Sequence, residues 1–190
     1  MKKIILLTTL FIIPFYGISQ TKKPIDGFLG VKFRTSSASA KAALIAKGGI
    51  DVPKESKADH FCLDSVPISG RTAYLCVWIF EDKVSEGDFY FFPSASNVIA
   101  FYDELVSDMT AAYGKGHITK DFKKDFAIVW RGRETQAIRL GKADYYAIWH
   151  ATDNTKNTIK ISIEKDLSVH LTYQDSALAK KTDAKNISDL

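Results

Sequence analysis

The sequence predicts an α+β fold in which two helices pack on one side of an antiparallel, mostly meander sheet. Two segments carry apolar residues at helical spacing, an alanine-rich one after Ser36 and one from Val98 to Tyr113. Most other apolar segments alternate with polar residues, as strands with one covered face do. Short turn sequences separate these strands, so neighbouring strands are expected to pair antiparallel.

The first residues carry the features of an export signal. Two lysines precede an apolar run from Ile4 to Phe15, and small residues within 17–19 favour a cut ahead of Gln20. An uncleaved anchor is the alternative, but a spanning helix needs about 20 apolar residues and Pro14 interrupts this shorter run. We therefore predict a signal peptide over residues 1–19 and a periplasmic or secreted protein without a membrane span after its removal.

The rest of the chain has the size of one domain. About 170 residues are enough to bury a hydrophobic core, and we predict a single α+β domain over residues 27–173. Residues 20–26 are mostly polar and contain Pro24, which predicts a flexible leader. Residues 174–190 contain few apolar side chains and are expected to form a disordered or frayed tail.

The charge pattern argues against nucleic acid binding. The chain has 26 Lys+Arg and 22 Asp+Glu, a net charge of +4, and removing Lys2 and Lys3 with the signal lowers it to +2. Basic residues are scattered among acidic ones, whereas a phosphate-binding surface needs clustered lysine and arginine. No nucleic acid partner is therefore expected.

The first predicted elements are a strand, a helix and a loop. Residues 28–33 have the pattern of a short strand, and residues 35–37 supply hydroxyl groups that can cap a following helix. That helix is expected to end near Lys47, where Gly48 and Gly49 permit a left-handed stop. The polar residues 51–59 are predicted to form a loop.

The clearest local signal is a β-hairpin that joins residues 60–66 to residues 71–80. Gly70 fits the left-handed position that closes a three-residue loop over residues 68–70, and this loop sets the pairing of the strands. The register predicts an aliphatic face with the pairs Phe61–Val77, Leu63–Leu75 and Ser65–Ala73, and a mixed face with Cys62–Cys76, Asp64–Tyr74 and His60–Trp78.

A strand, a long helix and a meander follow the hairpin. Residues 89–92 are predicted to form the strand, and the helix over 98–113 has Ser94 or Ser96 as its cap and Gly114 as its stop. The remaining predicted strands cover residues 122–130, 135–140, 145–151, 158–164 and 167–173.

The two cysteines are predicted to form a disulfide. The hairpin register places Cys62 opposite Cys76 at a spacing compatible with an S–S bond, and the export signal indicates an oxidising compartment. Two buried free thiols are the alternative. The spacing does not match a Cys-x-x-Cys redox motif, so we expect a structural bond.

Aromatic and arginine side chains suggest a binding surface on the mixed face. Flat rings and guanidinium groups supply contact area and forked hydrogen bonds, which suit a peptide, a glycan or a partner protein. Core packing of the aromatic residues is the alternative. The candidate surface consists of Tyr74, Trp78, Phe80, Arg131, Arg133 and Trp149.

Other site chemistry has little support in the sequence. The four histidines fall in different predicted elements without metal-ligand spacing, and we expect neither a metal site nor a cofactor. No Gly-x-Ser-x-Gly motif occurs, and the glycine pairs follow helices, whereas a phosphate-binding loop precedes one. An enzyme would be a hydrolase that uses His60 or His150 beside Asp64 or Asp144.

Two segments resemble small exported proteins of Gram-negative bacteria. The first is residues 27–33 with Ser36-Ser37, the alanine-rich helix and residues 47–49, and the second runs from Tyr102 to Lys115. This group is largely uncharacterised. The resemblance implies an α+β domain whose helices cover one side of an antiparallel sheet, and it brings no catalytic residues.

The sequence as a whole favours a non-enzymatic envelope protein. Its expected role is to bind a protein, peptide or polymer through an exposed part of the sheet. The alternatives are a small periplasmic hydrolase and a structural or assembly factor.

Overall fold

The computed structural model describes residues 22–123 and 132–181, and it confirms an α+β fold with a large antiparallel sheet. The predicted signal peptide lies outside the described residues. The helices are α1 (Ser37–Ile45), α2 (Val98–Tyr113) and α3 (Glu134–Arg139), with a 3-10 turn at Pro53–Glu55 and a helical segment over 176–181. The strands are β1 (Gly27–Phe28), β2 (Val31–Lys32), β3 (Ile50–Asp51), β4 (His60–Ile68), β5 (Arg71–Phe80), β6 (Lys83–Phe91), β7 (His117–Phe122), β8 (Ala143–His150), β9 (Thr158–Ile163) and β10 (Val169–Gln174).

The main sheet consists of two four-stranded meanders joined side by side. Its strand order is β3-β4-β5-β6-β10-β9-β8-β7, and every neighbouring pair is antiparallel. The contact between β6 and β10 joins the halves, with Phe89 opposite Leu171. Among the described strands, this is the one pairing in the sheet between strands that are not consecutive in sequence, and the other pairings follow the meander order that the sequence predicts for most of the sheet.

Alternation along the strands gives the main sheet one buried face, which we call the apolar face. One row of directly opposed residues crosses six strands, and each of its side chains is fully buried. The row consists of Leu63, Leu75, Phe89, Leu171, Ile161 and Ala147. The hydrophobic core lies against this face.

Two compensating features set the β4–β5 register. The predicted pairs from His60–Trp78 to Leu63–Leu75 are present, but Val66 rather than Ser65 lies opposite Ala73. The connecting turn has two residues, Ser69 and Gly70, and a bulge between Leu63 and Val66 adds one residue to β4. The predicted three-residue loop was therefore wrong, while the pairing of the cysteines was right.

Two further predicted strands differ from the structure. Residues 28–33 form the small hairpin β1–β2, because Leu29 and Gly30 have φ values of 48° and 78° and turn the chain back. Residues 135–140 belong mostly to α3, which buries Ala137 and Ile138, so their strand prediction was wrong. Tertiary burial of two adjacent apolar residues outweighs a weak local pattern there.

The boundaries of the middle region also differ from prediction. β7 occupies residues predicted in part as a loop, and most of the predicted strand 122–130 lies outside the described residues. Asn97, rather than Ser94 or Ser96, is the N-cap of α2, and Gly114 follows its last turn as predicted. Residues 50–51 add the short strand β3 at the start of the predicted loop.

The described parts of the predicted leader and tail contact the domain. Ile25 is buried, and its carbonyl accepts a hydrogen bond from the Asn157 side chain at 2.9 Å. At the other end, Asp175 is buried beneath the helical segment over 176–181, whose Leu178 is also buried. Ordered packing therefore extends beyond residues 27–173 on both sides. None of the helices within the described ranges has the length and apolar character needed to cross a membrane.

Candidate functional site

The face opposite the apolar face, which we call the mixed face, carries polar and aromatic side chains. It includes His60, Cys62 and Asp64 of β4, Tyr74, Cys76, Trp78 and Phe80 of β5, Lys83, Glu86, Asp88 and Tyr90 of β6, His170, Thr172 and Gln174 of β10, Lys160 of β9, Asp144 of β8 and Asp121 of β7. Most of these side chains are half-buried or exposed. The alternation that buries the core on one face thus leaves functional groups on the other.

The predicted disulfide joins the first two long strands on the mixed face. Cys62 and Cys76 are directly opposite each other, with an S–S distance of 2.01 Å and a Cα–Cα distance of 4.1 Å. Both cysteines are buried, although their strand neighbours on this face are more exposed. The bond therefore fixes the register of β4 and β5 beneath the surface groups.

Three rings form a row across β5, β6 and β10. The ring centroids of Tyr74 and Tyr90 lie 6.1 Å apart, and those of Tyr90 and His170 lie 4.4 Å apart. The Tyr74 hydroxyl donates to Glu55 at 2.5 Å. Burial, together with this carboxylate, raises the pKa of Tyr74 to about 12. The cross-strand register holds these half-buried rings in edge-to-face contacts.

Asp88 is the carboxylate at the centre of the mixed face. Its side chain is 13 % exposed, accepts a hydrogen bond from Thr172 at 3.0 Å and lies 3.8 Å from His170 Nδ1. Burial raises the pKa of Asp88, although the Tyr90 hydroxyl, His170 and Thr172 favour its ionised form. Burial, together with Asp88, also raises the pKa of Tyr90. The groups around Asp88 therefore stabilise its ionised form less well than water would.

Asp88, His170 and Ser168 resemble a catalytic triad in composition but not in chemistry. His170 Nε2 lies 3.0 Å from Ser168 Oγ, yet Ser168 is buried and its hydroxyl donates to Asp166 at 2.6 Å. Hydrogen bonds from Ser168 lower the pKa of Asp166, so this carboxylate is an acceptor. With its hydrogen committed to Asp166, Ser168 is not activated by His170 as a nucleophile.

The structure divides the predicted surface residues among several places. Tyr74, Trp78 and Phe80 share the mixed face of β5. Trp149 does not, because the alternation of β8 places it on the apolar face, where it is 2 % exposed and its Nε1 donates to Gly114 at 2.8 Å. Its assignment to a binding surface was therefore wrong. Arg133 is exposed at the start of α3.

The remaining candidates are also separated. Arg131 lies outside the described residues. His60 Nδ1 lies 2.8 Å from Asp59 rather than beside Asp64, and its ring lies 4.6 Å from that of Trp78. His150 is exposed at the end of β8. Over the two described ranges, the structure shows no group of three or more His, Cys, Asp or Glu residues arranged to hold a metal ion.

Sequence reasoning missed the central residues of the mixed face, Asp88, Tyr90 and His170. The alternation of residues 86–91 could have placed Asp88 and Tyr90 on one face of a longer β6. Their contact with His170 depends on the pairing of β6 with β10, more than 70 residues later, which no local pattern indicates.

Comparison with known proteins found no matching family model, no matching curated protein and no matching solved structure.

Proposed function

We propose that this protein is an exported, non-enzymatic binding module whose mixed face takes an extended protein segment bearing lysine or arginine. The observation that carries the proposal is the half-exposed ring row of Tyr74, Tyr90 and His170, which is bordered by carboxylates. The disulfide is consistent with an oxidising compartment outside the cytosol.

Charge complementarity favours a basic partner. Within the described strands, five carboxylates point to the mixed face, at Asp64, Glu86, Asp88, Asp121 and Asp144. Two lysines, Lys83 and Lys160, accompany them. This face is therefore acidic although the whole chain has a net charge of +4. An acidic surface attracts cationic segments and repels anionic ones.

The rings add a second mode of recognition. Ammonium and guanidinium groups bind to the faces of aromatic rings, and carboxylates at the ring edges can accept their hydrogen bonds. Trp78 extends the aromatic surface toward His60, and Asp88 supplies a half-buried carboxylate that a cation would stabilise. The combination favours lysine and arginine over neutral side chains.

We also propose that α1 and α2 both lie on the apolar face, so that the mixed face stays accessible. The Tyr102 ring of α2 lies 5.9 Å from that of Tyr145, and Lys41 of α1 lies 5.8 Å from the Phe61 ring. Tyr145 and Phe61 both belong to the apolar face. These contacts support two helices on one side of the sheet.

Isothermal titration with defined peptides tests this function. The probes are a peptide of alternating lysine and serine and a matched peptide of alternating glutamate and serine. We expect saturable binding of the lysine peptide alone. The variant Asp64→Asn with Glu86→Gln should weaken it about tenfold, which corresponds to roughly 1.4 kcal/mol.

A matched control removes the same charge elsewhere. Asp26→Asn with Asp103→Asn neutralises two exposed carboxylates that lie outside the mixed face, and it should leave the affinity within about twofold. Equal binding of both peptides would refute the proposal. Equal weakening by the two double variants would show that net charge, and not the mixed face, determines binding.

A further inference from the structure

We propose that a second site, a cleft away from the mixed face, binds a small amphipathic anion. The cleft has a volume of about 390 Å³ and lies between the β1–β2 hairpin, the last turns of α2 and the β4–β5 turn. Its size is within the range of small-molecule sites in proteins, roughly 300–1,000 Å³. This inference does not depend on the function proposed above.

The inner wall of the cleft is apolar and aromatic. The ring centroids of Phe28 and Tyr173 lie 6.0 Å apart, and those of Tyr113 and Tyr173 lie 6.3 Å apart. The Tyr173 hydroxyl donates to Met109 Sδ at 3.4 Å, which is a weak acceptor. Phe28, Met109 and Tyr173 are buried and Tyr113 is half-buried, so an apolar group entering here would leave water.

The mouth of the cleft has unpaired positive charge. Its two carboxylates already have cationic partners, since Asp26 lies 3.4 Å from Lys32 and Asp108 accepts from Arg71 at 2.5 Å. In the part of the chain that the structure describes, no carboxylate lies within ion-pair distance of Lys23, which also lines the cleft. The Lys47 ammonium lies 3.8 Å from the position of a Cβ atom on Gly30, another lining residue.

These two features together define the ligand class. The aromatic wall requires an apolar ring or chain, and the exposed ammonium groups at the mouth require a negatively charged end such as a carboxylate or sulfonate. A cationic ligand would meet Lys23 and Lys47, and a neutral one would gain nothing from them. A small amphipathic anion satisfies both parts of the cleft.

A pair of fluorescent probes separates the two contributions. Anilinonaphthalene sulfonate carries an anionic group, and phenylnaphthylamine has nearly the same ring system without it. Wild-type protein should bind the sulfonate with single-site saturation and bind the neutral probe at least about tenfold more weakly. Non-saturable fluorescence, or equal affinity for both probes, would overturn the proposal.

Two variants locate the site on the molecule. Ala112→Leu places extra volume in the cleft and should weaken the sulfonate probe about tenfold, whereas Ala111→Leu, an exposed neighbour on the same helix, should have no effect. Lys23→Gln changes only an exposed side chain and should weaken the sulfonate probe but not the neutral one. Unchanged affinity in both Ala112→Leu and Lys23→Gln would place the binding elsewhere and refute the site.

Discussion

Asp88 is half-buried and Asp175 is buried, and the two carboxylates lie in opposite electrostatic environments. Burial raises the pKa of Asp88, because the groups around it do not fully replace the lost water. Burial also opposes ionisation of Asp175, but hydrogen bonds from Arg34 and from two backbone N–H groups outweigh it and lower the pKa. The two residues therefore give stability opposite dependences on pH.

Neutralising Asp88 should stabilise the protein at neutral pH. Because its folded pKa lies above the ordinary value of 3.8, the folded state binds its proton more tightly, and stability falls as pH rises through the folded pKa. Asp88→Asn removes this loss, and urea unfolding at several pH values should show a higher midpoint at pH 7 than in the wild type. The control is Asp144→Asn, which neutralises an exposed carboxylate. A lower urea midpoint at pH 7 for Asp88→Asn than for the wild type would contradict the argument.

Neutralising Asp175 should have the reverse effect. Its folded pKa lies below 3.8, so its stabilising contribution is present above that value and disappears as pH falls through the folded pKa. We expect Asp175→Asn to lower the unfolding free energy by about 2 kcal/mol at pH 7, since hydrogen bonds to a charged group are lost. The difference from wild type should shrink in acid, and a constant difference would show that another interaction is responsible.

Removing the disulfide should lower the free energy of unfolding, mainly because the unfolded chain gains conformational entropy. The bond closes a short loop, with a sequence separation of 14, which corresponds to about 3 kcal/mol. The double variant Cys62→Ser with Cys76→Ser should therefore lower the melting temperature by roughly 6–12 °C. Wild-type protein treated with a reductant is the matched control. An unchanged melting temperature would mean that the strands alone fix this register.

At the scale of elements, the β1–β2 hairpin packs closely on β6 through the Phe28 ring. A Cβ atom on Gly87 would lie 2.5 Å from the Phe28 ring, so the absence of a side chain at Gly87 lets the ring pack on the sheet. Phe28 also contacts the rings of Phe89 and Tyr173. The hairpin therefore forms one wall of the cleft and depends on this glycine.

Gly87→Ala should destabilise the protein by about 1–3 kcal/mol, because the added methyl group overlaps the Phe28 ring. The same change in a Phe28→Leu background should have a smaller effect, since the smaller side chain can move. A double-mutant cycle measured by urea unfolding gives the coupling between the two positions. Additive effects would show that the two residues do not interact as described.

At the scale of the whole molecule, the two faces of the sheet differ in polarity and charge. The mixed face is acidic while the chain as a whole is basic, and the apolar face carries the core. The two proposed binding sites therefore differ in character: one is the acidic mixed face, and the other is the apolar cleft with lysines at its mouth.

The proposed peptide binding should therefore depend strongly on salt. Raising the salt concentration from about 0.1 M to about 1 M shortens the Debye length from about 10 Å to about 3 Å, so the affinity of the lysine peptide should fall. The residual affinity at high salt reports the contribution of the rings, and Trp78→Ala should reduce it. Salt-independent binding would contradict the role of the carboxylates.

Local sequence was sufficient where neighbouring residues decide the structure. The periodicity of residues 98–113 specified α2, and alternation on both sides of a short turn paired Cys62 with Cys76. The predicted cysteine pairing was right although the predicted turn was wrong, because the bulge in β4 offsets the one-residue difference in turn length before Leu63 is reached. These features depend on contacts between residues close in sequence, whose energies the pattern itself reflects.

Only the tertiary structure decided which surface groups meet. The pairing of β6 with β10 brought Tyr90 into contact with His170. The way β8 pairs in the sheet turned Trp149 toward the core. Packing of α3 made a helix of residues that were predicted as a strand. The cleft likewise arises where the N-terminal hairpin meets the end of α2. Contacts between distant segments depend on how the whole core is buried, so the sequence determined most of the elements, while long-range packing determined the exceptions and the sites.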